Sequence, residues 1–149
     1  MFPQDFVEFL QLLIANKVEY LVVGGYAVGI HGHPRFTGDL DIWLKISDEN
    51  AVKILKSVNE FGFASLGFST EDFTTEGNIV QMGYPPMRID ILTDIDGVKF
   101  EECYAQRKTV EIDGLTIDFI GYWDLIKNKK ATGRKKDEAD VEDLENKNL

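Results

Sequence analysis

Hydrophobic and polar positions follow two different periods along the chain, and these periods separate helices from strands. Near the start, apolar side chains recur every three or four residues, which predicts an amphipathic helix over residues 4–16. Short apolar or alternating runs bounded by Gly, Pro or Asp predict strands, and Asp113-Gly114 between two such runs predicts a hairpin. The predicted strands are 19–23, 39–46, 78–84, 87–92, 109–112 and 115–119, and further helices are 25–32, 99–105, 121–131 and 135–146.

The middle of the chain gives a weaker pattern. A helix is predicted to begin at Ser47–Asn50 and to end at Gly62. Its predicted buried stripe is Val52, Ile54, Leu55, Val58 and Phe61. Residues 63–77 have no clear period and are predicted to form a loop with one helical turn near Thr70–Phe73, which could serve as part of a substrate wall. A length of 149 residues suits one α/β domain, with a helical segment from about 121 to 149 at its end.

Acidic residues stand on two of the predicted strands. Side chains alternate between the faces of a strand, so Asp39, Asp41 and Trp43 share the face opposite to Leu40 and Ile42. The two carboxylates are then roughly 7 Å apart on one face, a spacing that suits divalent cations held between them.

Gly24-Gly25 stands between a predicted strand and a predicted helix. Two glycines let a phosphate chain approach the backbone, and the N–H groups at a helix start attract anions. A tight strand-to-helix turn explains the same pair without any ligand. The pair does not fit a Walker A loop, because no Gly-Lys-Ser/Thr follows.

These features together resemble the signature of the nucleotidyltransferase-fold superfamily, the DNA polymerase beta-like proteins. The signature is a hydrophobic residue and a glycine pair (Val23-Gly24-Gly25), a spacer, and Asp-hydrophobic-Asp (Asp39-Leu40-Asp41). The resemblance implies a third carboxylate on a later strand, for which Asp90 in Met87–Leu92 is the candidate. It also implies a small mixed β-sheet flanked by helices, followed by C-terminal helices.

A longer run is similar to the small bacterial nucleotidyltransferases grouped with AbiEii-like toxins. It comprises Gly24-Gly25, His31 and 35–41, together with the lysine-rich run 125–140. This resemblance spans roughly residues 19–145. It implies a toxin–antitoxin or phage-defence setting, in which an antitoxin-like protein or a second copy of the chain is a candidate partner.

The resemblance also assigns roles. Asp39 and Asp41 are expected to bind two Mg²⁺ ions, and Asp90 one of them, beside the attacking hydroxyl, where it could also take the proton. The residues expected to contact the nucleoside triphosphate are Gly24, Gly25, Arg35, Lys129 and Lys136. Two alternatives stay open: Arg35 as a surface residue, and the lysines as a solvated helix face with exposed ion pairs. Arg134 and Asp137 suggest a salt-bridged helix connection instead.

Composition excludes several classes of function. The formal net charge of −10 argues against sequence-independent nucleic-acid binding. No apolar run reaches the roughly 20 residues of a membrane span, and no secretory signal is evident. Cys103 is alone, so a reducing cytoplasm is the expected location, and a buried apolar role is expected rather than a nucleophilic one. His31 and His33 lack the further soft ligands of a zinc site.

The sequence therefore predicts a Mg²⁺-dependent enzyme that transfers a nucleoside monophosphate from a triphosphate to a hydroxyl acceptor. The chain leaves almost no residues for a separate acceptor domain, so the acceptor pocket is expected from residues 63–77, the C-terminal helices or a second subunit. An antibiotic hydroxyl, a tRNA end and a protein side chain all remain candidate acceptors. A catalytically silent nucleotide-binding protein is the alternative, and a metal-dependent phosphohydrolase is a third, weaker option.

Overall fold

A computed structural model describes residues 2–34 and 37–147. Six strands form one mixed sheet in the order β3-β4-β2-β1-β6-β5. The strands are β1 (Tyr20–Val23), β2 (Asp39–Leu44), β3 (Ile79–Tyr84), β4 (Met87–Leu92), β5 (Lys108–Ile112) and β6 (Leu115–Phe119). The helices are α1 (Gln4–Ala15), α2 (Gly24–Ile30), α3 (Asp48–Val58), α4 (Phe100–Ala105), α5 (Tyr122–Thr132) and α6 (Lys135–Lys147). The α/β class with a mixed sheet is as expected.

Strand pairing combines neighbours in sequence with distant partners. The hairpins β3–β4 and β5–β6 are antiparallel, as is the pair β1–β2. In contrast, β2–β4 and β1–β6 are parallel, and each of these pairs joins strands that are separated by other elements. The parallel β2–β4 pair places the two acid-bearing strands side by side.

Trp43 closes part of the sheet face that carries the carboxylates. It lies on that face as predicted, yet only 2% of it is exposed, because Phe100 of α4 packs edge-on against it with ring centroids 5.1 Å apart. On the other face, Leu40 and Ile42 are fully buried, together with Ile89 and Ile91 of β4. The end of the face near Asp39 and Asp41 is left open and lines a pocket.

The predicted buried stripe of α3 is wrong at Val52, which is 61% exposed. The helix instead buries Ala51, Ile54 and Val58 together with two polar residues, Asn50 and Ser57. The Asn50 amide donates to the backbone carbonyls of Glu19 and Lys45 at 3.0 and 2.9 Å, which turns this polar residue inward. An apolar periodicity cannot register such a polar anchor, so it included Val52 in the stripe, while Ile54 and Val58 are buried as predicted.

The segment after α3 is less regular than the helix. The helix ends at Val58, earlier than predicted, and an irregular turn covers Asn59–Phe63, in which Gly62 has a φ of 110°. A short 3₁₀ turn over Thr70–Phe73 confirms the helical turn predicted there, and a second 3₁₀ turn over Ala64–Leu66 was not predicted. None of the described helices has the length and apolar composition needed to cross a bilayer.

Candidate active site

Asp39, Asp41 and Asp90 lie on the same face of two adjacent strands. In the parallel β2–β4 ladder, Asp41 is paired with Asp90 and Asp39 with Arg88. Residues paired in this way point to the same side of a sheet. The register therefore brings together the three carboxylates that sequence analysis placed on separate segments.

Asp41 is the most strongly perturbed of the three. Burial, followed by the negative charges of Asp90 and Asp39, raises the pKa of its half-buried carboxyl to about 6, against a smaller opposing effect of Lys129 and Lys136. Among the described residues, no side chain or backbone group donates a hydrogen bond to this carboxylate. Asp41 thus presents a negative charge that lacks a direct partner in the described part of the chain.

Arg88 is a site residue that sequence analysis missed. Its Nε donates to Asp90 Oδ1 at 2.7 Å and its Nη2 donates to Asp90 Oδ2 at 3.0 Å, a bidentate pair. The same Nη2 lies 3.5 Å from Asp39 Oδ2. The signal was present in the sequence, since Arg88 is two residues before Asp90 and strand alternation places both on one face.

Gly24 and Gly25 lie at the junction of β1 and α2, directly beside the carboxylates. Gly24 has a φ of +68°, and a Cβ built there would overlap a carboxylate oxygen of Asp41. A Cβ on Gly25 would come within 2.8 Å of the Thr37 hydroxyl. The pair is therefore required for close packing at the turn, and it also lines the same pocket as the carboxylates.

Lys129 and Lys136 occupy different environments on the opposite wall. Lys129 is only 5% exposed, and its Nζ lies 3.0 Å from Asp137 Oδ1 and 3.0 Å from Asp140 Oδ2. Lys136 is exposed. The predicted pair between Arg134 and Asp137 is present at 2.7 Å. Lys129 thus holds α5 and α6 together, and Lys136 is the more accessible of the two predicted phosphate contacts.

Asp137 anchors this buried ion cluster. Burial alone would raise the pKa of its carboxyl, but hydrogen bonds from Thr132, Lys129 and Arg134 outweigh burial and lower the pKa to about 2. The Asp137 carboxyl therefore stays ionised at neutral pH and fixes the start of α6.

The three carboxylates, the glycine pair and both lysines line one open pocket of about 500 Å³. Basic residues of α5, α6 and their connection form one wall. Ile79, Leu92 and Ile95 form an apolar part, and the exposed Asp94 and Asp96 also line the pocket. Arg35, the remaining predicted phosphate contact, lies outside the described residues.

Comparison with known proteins identifies the family. The family described as "Nucleotidyltransferase of unknown function (DUF6036)" matches residues 5–148. The chain belongs to this nucleotidyltransferase family. No curated protein sequence gives a match. The narrower likeness to the AbiEii-toxin-like group stays a prediction.

Solved structures show that this nucleotidyltransferase shares its fold with distant relatives. One is a candidate nucleotidyltransferase from Thermotoga maritima, with a TM-score of 0.63 and 17% identity over 95% of this chain and 90% of that one. A lincosamide antibiotic adenylyltransferase with lincomycin bound gives 0.58 and 14% identity over 97% of each chain. A nucleotidyltransferase-like protein from Paracoccidioides brasiliensis gives 0.51 and 16% over 94% of this chain and 72% of that one.

The donor chemistry of the nucleotidyltransferase site fits a divalent cation. Carboxylate oxygens are the ligands that Mg²⁺ prefers, and Asp41 offers one that receives no hydrogen bond from the described residues. In the described part of the chain, however, no three acidic, His or Cys side chains converge into a ready-made ligand cluster. The guanidinium of Arg88 instead pairs with the carboxylate of Asp90 and approaches that of Asp39.

Cys103 and the histidines lie apart from this chemistry. Cys103 is 1% exposed, and burial, followed by the charge of Asp124, raises the pKa of its thiol to about 12. A ring nitrogen of His31 is 2.7 Å from the Ile120 carbonyl oxygen, and His33 pairs with Asp143 at 3.0 Å. The contacts of the two histidines and the burial of Cys103 therefore give all three residues a structural role.

Proposed function

We propose that this nucleotidyltransferase uses Mg²⁺ to transfer a nucleoside monophosphate from a nucleoside triphosphate to a hydroxyl acceptor. The observation that carries the proposal is the β2–β4 register. It places Asp39, Asp41 and Asp90 on one face, in a pocket that also contains Gly24-Gly25 and an exposed lysine.

Each carboxylate has a proposed role. Asp39 and Asp41 would hold two Mg²⁺ ions, and Asp90 would hold one of them on the side of the acceptor. When bound, the ions would supply charge stabilisation for the attacking and departing oxygens. Asp90 would also accept the proton of the acceptor hydroxyl, because its carboxylate lies on the same sheet face as Asp39 and Asp41.

The triphosphate is proposed to lie between the glycine pair and the basic wall. Gly24 and Gly25 leave the backbone accessible to phosphate oxygens, and Lys136 would contact them directly. Lys129 would act mainly through the position of the wall, because its ammonium already pairs with Asp137 and Asp140. Arg35 is proposed as a further phosphate contact.

The transfer step is an in-line displacement at the α-phosphorus. The acceptor oxygen forms a bond to this phosphorus, and the bond from the α-phosphorus to its bridging oxygen toward the β-phosphorus breaks. Pyrophosphate leaves with the electron pair, and Asp90 takes the acceptor proton. The product is a phosphodiester between acceptor and nucleoside.

A small-molecule hydroxyl is the acceptor that the pocket favours. The apolar part formed by Ile79, Leu92 and Ile95 suits a partly apolar acceptor, while Asp94 and Asp96 disfavour a polyanion such as a tRNA end. The lincosamide adenylyltransferase matches this chain over nearly its whole length, so a chain of this extent can hold a small acceptor. A toxin–antitoxin or phage-defence role is proposed on the sequence resemblance alone.

The test is transfer of label from α-labelled ATP, GTP, CTP and UTP to a panel of small hydroxyl compounds, tRNA and peptides, with and without Mg²⁺. Label should move onto an acceptor with release of pyrophosphate, and only when Mg²⁺ is present. Asp39→Asn and Asp41→Asn should each abolish transfer, while Asp94→Asn should not. Equal activity of either β2 variant and the wild type would remove the assignment.

A catalytically silent nucleotide-binding protein is the second candidate, and the Arg88–Asp90 pair favours it, because this pair occupies both oxygens of one proposed ligand. Calorimetry separates the two. Nucleotide binding that is independent of Mg²⁺, without pyrophosphate release for any acceptor, supports the silent protein. Orthophosphate as the product instead indicates a phosphohydrolase.

A further inference from the structure

Arg88 makes a bidentate charged contact within the site, and neither the signature nor the proposed transfer step gives it a role. Its guanidinium engages both oxygens of Asp90 at 2.7 and 3.0 Å and approaches Asp39 at 3.5 Å. About 26% of its side chain is exposed, compared with 12% for Asp90. The guanidinium therefore bridges two of the three carboxylates at the open side of the sheet.

This placement puts Arg88 where a divalent cation would compete with it. A bidentate guanidinium uses the carboxylate lone pairs in the plane that a metal would also use. Asp41 is different, because no described residue donates a hydrogen bond to it. The site thus consists of an available carboxylate, Asp41, a carboxylate that Arg88 already neutralises, Asp90, and a third, Asp39, that Arg88 approaches.

The neighbouring edge strand leaves space for Arg88 to move. In the β3–β4 ladder, the residue directly opposite Arg88 is Gly83, which has no side chain. In the described sheet, β3 is an edge strand, so no further strand lies beyond Gly83. The guanidinium can therefore rotate across Gly83 towards solvent without displacing a side chain at that position.

We propose that Arg88 is an internal counter-ion that competes with the divalent cation for Asp90. In the metal-free protein it pairs with Asp90 and Asp39 and reduces their mutual repulsion. When a cation binds, Arg88 releases Asp90 and moves over Gly83, so that Asp90 joins Asp39 and Asp41 as a ligand. This inference rests on the proposed function, because it requires a cation at these carboxylates. Arg88 acts here as a positioning residue.

The test measures Mn²⁺ binding without nucleotide, by calorimetry and by the electron paramagnetic resonance signal of free Mn²⁺. Arg88→Gln removes the charge but keeps a side chain of similar length. It should bind Mn²⁺ about tenfold or more tightly than the wild type, because no charged pair must be broken first. Arg88→Lys keeps the charge but loses the bidentate geometry, and its affinity should fall between the two.

The matched control is Arg107→Gln, which removes an arginine just before β5 that pairs with Asp118 of β6 at 3.5 Å, away from the carboxylates. Its Mn²⁺ affinity should equal that of the wild type. Melting temperatures provide a second readout. Metal-free Arg88→Gln should melt below the wild type, and Mn²⁺ should raise its melting temperature by more than it raises that of the wild type.

Asp41→Asn and the double variant with Arg88→Gln separate the failure of this inference from that of the proposed function. Mn²⁺ binding that needs Asp41 but is equal or weaker in Arg88→Gln overturns the counter-ion role and leaves the metal site intact. Mn²⁺ binding that is absent from both the wild type and Arg88→Gln, or that persists without Asp41, overturns the metal site and with it the counter-ion role. Tighter binding in Arg88→Gln that Asp41→Asn abolishes supports both.

Discussion

Asp41 lies between two other carboxylates, and the backbone of Gly24 closes the space on one side of it. The raised pKa of its carboxyl shows that burial and the neighbouring charges favour a neutral group in this position. Residues kept at such a cost are typical of functional sites rather than of structural ones. The charge of Asp41 therefore lowers the stability of the metal-free protein, while the proposed function requires that charge.

We expect Asp41→Asn to stabilise the metal-free protein while it abolishes transfer. Because the pKa of Asp41 rises from 3.8 to about 6 on folding, the neutral amide should raise the free energy of unfolding near neutral pH by up to about 3 kcal/mol. Urea unfolding measures this change. Asp39→Asn, whose side chain is 42% exposed, should show a much smaller gain. A loss of stability in metal-free Asp41→Asn contradicts the repulsion argument.

Gly24 should tolerate no side chain. Gly24→Ala forces a Cβ into the Asp41 carboxylate at a φ of +68°, and we expect a loss of about 1–3 kcal/mol in unfolding free energy. Gly29→Ala is the control in the same helix, because a Cβ there meets no atom within 4 Å. It should be neutral or stabilising by up to about 1 kcal/mol. Thermal denaturation of both variants checks the difference, and similar losses would argue against a close approach at Gly24.

The position of a single residue could be predicted where it depends on local sequence, and could not where it depends on partners distant in the sequence. Strand alternation and the family signature were enough to place Asp39, Asp41 and Asp90 on one face. The burial of Lys129 could not be predicted, because it depends on Asp137 and Asp140 folding back from the next helix. The alternative of exposed ion pairs describes the neighbouring Lys130, which pairs with Glu145 at the surface.

Helices α5 and α6 are joined by a buried ion cluster at Lys129 and by an exposed ion pair at Lys130. Because the two lysines are adjacent, their contributions to stability can be compared directly. Lys129→Met leaves Asp137 and Asp140 close together without the ammonium between them, and we expect a loss of about 3 kcal/mol or more. Lys130→Met removes a pair whose side chains are 60% and 48% exposed, and should cost less than about 1 kcal/mol. Urea unfolding of the two variants gives the comparison. Equal losses would show that burial of the Lys129 cluster does not increase its contribution to the unfolding free energy.

The ion cluster between α5 and α6 should also make the free energy of unfolding depend on pH in the acidic range. The pKa of Asp137 is lowered on folding from 3.8 to about 2, so its ionised form stabilises the native state above about pH 4. This contribution, about 2 kcal/mol, is lost as the pH falls from about 4 to 2. Unfolding measured across this range should show the loss in the wild type. Asp137→Asn should be less stable at neutral pH and should lack this part of the pH dependence.

The elements themselves were largely predictable, while their arrangement was not. Turn chemistry at Asp113-Gly114 and apolar alternation gave the β5–β6 hairpin within a residue. Val52 was misplaced because the phase of α3 is set by the hydrogen bonds of Asn50 to distant backbone groups. The parallel pairing of β1 with β6 joins strands nearly a hundred residues apart, and no local pattern reports it.

The charge of the protein as a whole makes a prediction about its partners. With a net charge of −10 and the exposed Asp94 and Asp96 at the pocket, the chain should not bind duplex DNA or tRNA without sequence preference. At physiological ionic strength, fluorescence anisotropy should show dissociation constants weaker than about 10⁻⁴ M. Micromolar binding that weakens with added salt would contradict this and would return tRNA to the acceptor candidates.

The burial of Cys103 has a practical consequence for work on this molecule. Its thiol is inaccessible and stays protonated at neutral pH, so maleimide and iodoacetamide reagents should leave the native chain unmodified. Because the sequence contains no other cysteine, a thiol introduced at exposed Tyr84 would be the single position to accept a dye or spin probe. Distances from that probe could then follow the β3 edge as ligands are added, without first re-engineering the natural sequence.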